Sequence, residues 1–196
     1  MKRAPFLLIM ATVIAITALS SCSPTTDVIP LSNSQIDQVQ EQLEGANNPG
    51  VRYIQPSDRT ALPTLSGLDL DGAPIEVPDS QKQVTVINAW ASWCPPCKVE
   101  LPEFAQVAKD PEFANIRFVG LNVNDELGAA QSISQVQGYP SMVDPDGELL
   151  AQIPNIPPQG LPSTVILDPN GLIATTIIGA VPPGELAAII TRVMQE

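Results

Sequence analysis

The segment Val84-Thr-Val-Ile-Asn-Ala-Trp90 constrains this chain more than any other. It is nearly continuous in apolar and β-branched residues, the pattern of a strand buried on both faces in a parallel sheet. A strand with one wet face would alternate. Layers must therefore cover both sides of it, which makes the chain α/β. Directly behind it comes Trp93-Cys94-Pro95-Pro96-Cys97, and the run from there to Lys109 reads as a helix. Val99, Phe104 and Val107 supply its apolar side, and Pro102 predicts a kink.

The remaining elements arrange themselves around that unit. Leu62 to Leu70 and Ala73 to Val77 read as two extended pieces joined at Asp71-Gly72, an added N-terminal β-hairpin. Ile116 to Asn124 is a second buried strand, followed by a helix over Leu127 to Val136. Tyr139 to Val143 leads into a turn at Asp144-Pro-Asp-Gly147. Gln152 to Gln159, rich in proline and without charge, is either a rim or a stiff connector. Ser163 to Leu167 and Leu172 to Ile178 form an antiparallel pair about Asp168-Pro-Asn-Gly171. Pro183 to Met194 closes the chain as a helix with Leu186, Ile189, Ile190 and Val193 as its buried stripe and Pro183 at its first position. Early strands pair with the C-terminal hairpin, giving a central mixed sheet flanked by helices in one domain, residues 58–196.

The N-terminus reads differently. Lys2 and Arg3 precede an uncharged apolar stretch from Ala4 to Leu19, followed by Leu19-Ser20-Ser21-Cys22. A basic start, an apolar run and small residues mark a secretory signal, and the run is short of the roughly 20 residues that span a bilayer. Leu-Ser-Ser-Cys resembles a bacterial lipoprotein cleavage box, which implies removal of residues 1–21 and lipidation of Cys22. Several acyl chains anchor a domain far more firmly than one. Residues 22–57 then form a tether with a possible short helix over Ser32 to Glu44, where Ile36, Val39 and Leu43 recur at helical spacing.

Charge and cysteine usage narrow the chemistry. The chain carries 21 acidic and 9 basic residues and no His. Such a surface repels phosphate backbones, so nucleic acid is not an expected partner. Without His, His-based general base catalysis and His-containing metal sites are excluded. Of three cysteines, lipidation would take one, leaving Cys94 and Cys97. Structural zinc needs about four ligands, so neither a metal nor any other cofactor is expected.

A Cys-x-x-Cys between a buried strand and a helix reads as a redox motif. At the helix start the Cys94 thiolate faces backbone N–H groups and the positive end of the dipole, which makes it the attacking group. Cys97, one turn inward, is placed to resolve a mixed disulfide. Pro95 and Pro96 stiffen the turn. Trp90 ends the strand and belongs to the core, whereas Trp93, beside Cys94, is placed as a partly exposed lid. Lys98 either favours the thiolate or is a solvated helix charge.

Asn88-Ala-Trp-Ala-Ser-Trp-Cys-Pro-Pro-Cys-Lys-Val-Glu-Leu-Pro102, with Tyr139 to Gly147 and Gly160 to Gly171 in the same order, resembles the TlpA/ResA-like branch of the thioredoxin superfamily, an AhpC/TSA-like branch. The resemblance runs from about residue 59 to the C-terminus. It implies a thioredoxin-like fold and a membrane-anchored thiol–disulfide oxidoreductase that handles exported proteins, cytochrome c maturation among its settings. It further implies that Pro162 is the family's cis-proline, with the backbone of Leu161 free to dock an extended substrate segment by strand addition. Asn88 stands where cytoplasmic thioredoxins carry a buried Asp, so the proton-accepting role of that Asp is absent. Glu100 matches a family acid, or is a solvated helix charge.

Leu161 departs from the pattern, because polar or small residues usually precede the cis-proline. The direction of electron flow stays open. The resemblance favours a reductant served by a membrane redox partner, while the acidic surface and Leu161 leave room for a disulfide-forming oxidant. A lipid-anchored binding module with inert cysteines is the non-enzymatic alternative. A monomer is expected.

Overall fold

The computed structural model describes residues 50–196. The signal segment, Cys22 and the helix expected over Ser32 to Glu44 lie outside the described residues. In chain order the elements are β1 (Val51–Tyr53), β2 (Leu65–Leu68), β3 (Pro74–Val77), β4 (Thr85–Trp90), α1 (Pro95–Lys109), β5 (Arg117–Val123), α2 (Leu127–Gln137), β6 (Ser141–Asp144), α3 (Glu148–Ala151), β7 (Ser163–Leu167), β8 (Ile173–Ile178) and α4 (Leu186–Met194).

A six-stranded mixed sheet runs in the order β1-β8-β7-β4-β5-β6, and β2 and β3 form a separate hairpin. β4 is parallel to β5 on one side and antiparallel to β7 on the other, and every one of its residues is buried. Alternation along β4 divides the core. Ile87 and Ala89 point to a cluster closed by the hairpin residues Leu65, Ile75 and Val77 and by Leu150, Ile153 and Ile156. Val86 points the other way, to a cluster closed by Phe104 and Val107 of α1 and by Leu186, Ile189, Ile190 and Val193 of α4. This is the thioredoxin-like α/β fold with its added hairpin.

Four details correct the sequence reading. The compact unit starts before Asp58, because β1 pairs antiparallel with β8 through Val51 and Ile177 as the edge of the main sheet. Three residues next to breakers carry too little periodicity to register as a strand. The segment before the expected turn at Asp144 to Gly147, where the Gly147 N–H donates to the Asp144 carbonyl, is itself a strand, Ser141–Asp144, parallel to β5, and the buried Asp144 carboxylate then accepts from the N–H groups of Leu149 and Leu150 to start α3. In α4 the first helical residue is Leu186. Pro183 lies in the preceding turn, where Glu103 of α1 accepts from the N–H groups of Gly184 and Leu186.

The fourth correction concerns the buried side of α1, which is Cys97, Glu100, Leu101, Phe104, Ala105 and Val107. Those positions follow the 3.6-residue period counted from Cys97. Val99 falls on the opposite face and is 74% exposed. The helix is a single element through Pro102, which lies on that solvent side with Lys98, whose carbonyl is the one that loses its helical donor.

Candidate active site

Cys94 and Cys97 meet at the C-terminal end of β4, where α1 begins. They form a disulfide with a Cα–Cα separation of 5.3 Å. Cys94 is the N-cap of α1, and its Sγ accepts from the Cys97 N–H at 3.3 Å. A sulfur held there faces helix N–H groups that lack intrahelical partners. Pro95 and Pro96 occupy the first two helical positions, where their missing N–H groups cost nothing. Both cysteines are buried, packed with Trp90, Leu101, Leu70 and Ala130, and Leu161 leans on the same cluster. Trp90 is fully buried, while Trp93 is 57% exposed above the turn.

Glu100 is not a solvated helix charge. It is buried, with Oε1 accepting from Asn88 Nδ2 at 2.8 Å and Oε2 from the Val181 N–H at 2.9 Å. Burial pushes its carboxyl up to about 7, against the opposing pull of those two bonds, and the neighbouring Glu103 adds to the rise. Asn88 is buried beside it and also reaches Thr164 Oγ1 at 3.4 Å, while its own Oδ1 has no hydrogen-bond partner among the described residues. Glu100 therefore links the redox helix to β4 and to the loop after β8. Lys98 is exposed on the other side of the helix.

The bond between Leu161 and Pro162 is cis. The Pro162 carbonyl accepts from the Gly179 N–H, which ties this corner to the loop that carries Val181. The expected docking surface needs one correction. The Leu161 N–H already donates to the Gln159 carbonyl at 3.0 Å, so of its two backbone groups the carbonyl alone is unbonded among the described residues. The segment 152–159 is an anchored connector, since Ile153 and Ile156 are buried in the core and Pro157 and Pro158 are exposed.

Sequence reasoning missed a second polar group. Asp125, in the loop between β5 and α2, accepts from the N–H and hydroxyl of Ser92 at 2.5 and 2.6 Å. Burial alone would raise its carboxyl, but the bonds from Ser92, Asn122 and the Glu126 N–H together hold it below the ordinary carboxylate value. The available signal was positional. Asn122-Val-Asn-Asp125 is a polar cluster at the carboxyl end of a parallel strand, where sites in open α/β sheets gather. Among the described residues no group of three or more Cys, Asp or Glu side chains converges as metal ligands would.

Comparison with known proteins agrees with this geometry. Residues 59–176 match the AhpC/TSA family. The chain is 28% identical over 125 residues to the thiol-disulfide oxidoreductase ResA of Bacillus subtilis (strain 168), covering 63% of this chain and 68% of that protein. It is 34% identical over 102 residues to the thiol:disulfide interchange protein DsbE of Allochromatium vinosum, about half of each (50% and 53%). Among solved structures, a secreted thiol-disulfide isomerase from Corynebacterium glutamicum superposes with a TM-score of 0.66 at 26% identity, over 75% of this chain and 93% of that one.

Proposed function

The chain belongs to the AhpC/TSA family and is a thiol–disulfide oxidoreductase of the ResA and DsbE type, and from that premise we propose that it reduces disulfides of exported proteins outside the cytoplasm, held to a bacterial membrane by lipid on Cys22. The observation that carries the mechanism is Cys94 at the N-cap of α1 with Cys97 buried one turn behind it.

In the reduced form the Cys94 thiolate attacks one sulfur of a substrate disulfide, and the other sulfur leaves as a thiolate. Cys97 then loses its proton and attacks Cys94 Sγ, which closes the Cys94–Cys97 bond and frees the second substrate sulfur. Two electrons pass to the substrate. A membrane redox partner returns them by reducing the pair. Glu100, three residues beyond Cys97 on the same helix face, takes the Cys97 proton, a role suited to a carboxyl near 7. The Leu161 carbonyl pairs with the extended substrate segment, and Trp93 covers the turn. Haem-binding cysteines of an apocytochrome c are a substrate of this kind.

Residues 1–21 hold two of the nine basic residues and none of the 21 acidic ones, so the part tethered at Cys22 is more acidic than the full chain and is repelled by anionic lipid, leaving the acyl chains to hold it. Expression of the full chain in a bacterium tests location and direction together. Radiolabelled palmitate should mark the wild-type chain and not Cys22→Ser, and an unlabelled wild type would remove the lipid anchor from the account. Rapid alkylation of intact cells should recover the wild-type pair mainly as the dithiol. Recovery mainly as the disulfide would assign the chain to the oxidants.

A further inference from the structure

The turn in front of Cys94 is held by residues that lie outside the Cys-Pro-Pro-Cys segment. Asp125 Oδ2 accepts from the Ser92 N–H at 2.5 Å and from Asn122 Nδ2 at 2.9 Å. Its Oδ1 accepts from Ser92 Oγ at 2.6 Å and from the Glu126 N–H at 2.9 Å. One residue further along the turn, Trp93 Nε1 donates to the Asn124 carbonyl at 2.8 Å. Asn124 itself has a left-handed backbone (φ 48°), and its N–H donates to the Asp144 carbonyl at the end of β6. Two consecutive residues of the turn are thus tied to two consecutive residues of the β5–α2 loop.

All the groups around Asp125 donate, and two of them are backbone N–H groups that cannot reverse. A carboxylate, with two acceptor oxygens, satisfies this place. A carboxamide has only one. We propose that Asp125 is a positioning residue for the redox chemistry, fixing the backbone at Ser92 so that Cys94 is held at the N-cap of α1. Stabilisation of a thiolate by helix N–H groups is lost within about a turn, so a turn that wanders spoils it. The inference rests on the reading of Cys94 as the attacking thiol.

Position and charge act in opposite directions here, which makes the idea testable. A carboxylate acting only through its charge would repel the Cys94 thiolate, and its removal would make Cys94 easier to ionise. A carboxylate acting through position would, when removed, make Cys94 harder to ionise. The measurement is the pH midpoint of Cys94 alkylation by iodoacetamide, read by mass on the Cys94 peptide in the full chain carrying Cys97→Ala. Asp125→Ala should raise the midpoint by about one pH unit, a tenfold loss of thiolate at a given pH.

Ser92→Ala keeps the carboxylate and loses one bond. It should move the midpoint the same way by less, and it serves as the test should Asp125→Ala not fold. Asp125→Asn should fall between the two, because the Ser92 hydroxyl can turn to accept from the amide. An unchanged or lowered midpoint in Asp125→Ala, or no effect of Ser92→Ala, overturns the inference and leaves Cys94 as the attacking thiol. A midpoint at the ordinary thiol value of about 8.5 before Asp125 or Ser92 is altered overturns both readings.

Discussion

Cys94→Ser should reduce turnover of a protein disulfide to background, a loss on the order of 10³-fold or more, while Cys97→Ala should accumulate a covalent mixed disulfide with its substrate. The asymmetry follows from the placement of the two sulfurs. Cys94 Sγ receives a hydrogen bond from the Cys97 N–H at the start of α1, so negative charge is stabilised there and not on Cys97. A serine hydroxyl in that place is far too weak an acid to attack a disulfide. Cys97 is wholly buried and can reach only a sulfur already bonded to Cys94. Without it the first step proceeds and the second does not. Non-reducing electrophoresis of each variant after incubation with substrate distinguishes them. Accumulation by a Cys94 variant with none by Cys97→Ala would reverse the roles.

The second large effect is on stability. Glu100 has a folded-state carboxyl raised from an ordinary 4.5 to about 7. Between those values the folded chain holds a proton that the unfolded chain has released, so the proton favours folding at low pH. Its contribution is complete below about 4.5 and is lost as pH rises through about 7. The shift corresponds to about 3 kcal/mol. No His titrates in this window, because the chain has none, and Asp125, held below its ordinary 3.8, makes its contribution fade only as pH falls below that value.

Glu100→Gln should remove the slope. Relative to wild type it should be nearly unchanged at pH 4 and more stable by up to about 3 kcal/mol at pH 8. The pocket can take the amide. Asn88 Oδ1 has no partner among the described residues, and a half-turn of that side chain lets it accept from glutamine while the Val181 N–H keeps its acceptor. Urea unfolding of the oxidised protein from pH 4 to 8 measures the difference. Parallel slopes for the two proteins would show that Glu100 carries no such proton. The same variant should slow the resolving step, since glutamine cannot take the Cys97 proton.

Much of the fold is legible in the sequence because strong local signals agree with the tertiary environment. β4 was legible as a doubly buried strand from its apolar continuity, and Cys94 at the following helix start defined the site. The hairpin and the C-terminal strand pair were legible from alternation around Asp71-Gly72 and Asp168 to Gly171. What escaped lacked periodicity or depended on packing from elsewhere. β1 is three residues long and takes its stability from β8. Val99 looked apolar in the sequence, but only the phase set by Cys97 and Phe104 decides that it faces water.

The candidate site divides in the same way. The cysteines declare themselves by type and spacing. Glu100 could not be told from a surface charge, because its burial comes from Val181 and Asn88, which approach from 81 residues later and 12 residues earlier. Asp125 stands 33 residues from its partner Ser92, and nothing in a linear reading joins them. Leu161 precedes the cis bond to Pro162, and its N–H closes on Gln159, a local turn that composition does not reveal.

The proposal that the chain acts as a reductant is tested most directly by the equilibrium reduction potential of the Cys94–Cys97 pair, measured on the full chain against glutathione. A value near about −270 mV, the poise of a dithiol that gives up its electrons readily, is the expected result. A value near about −120 mV, where the disulfide takes electrons from almost any exported dithiol, would contradict it.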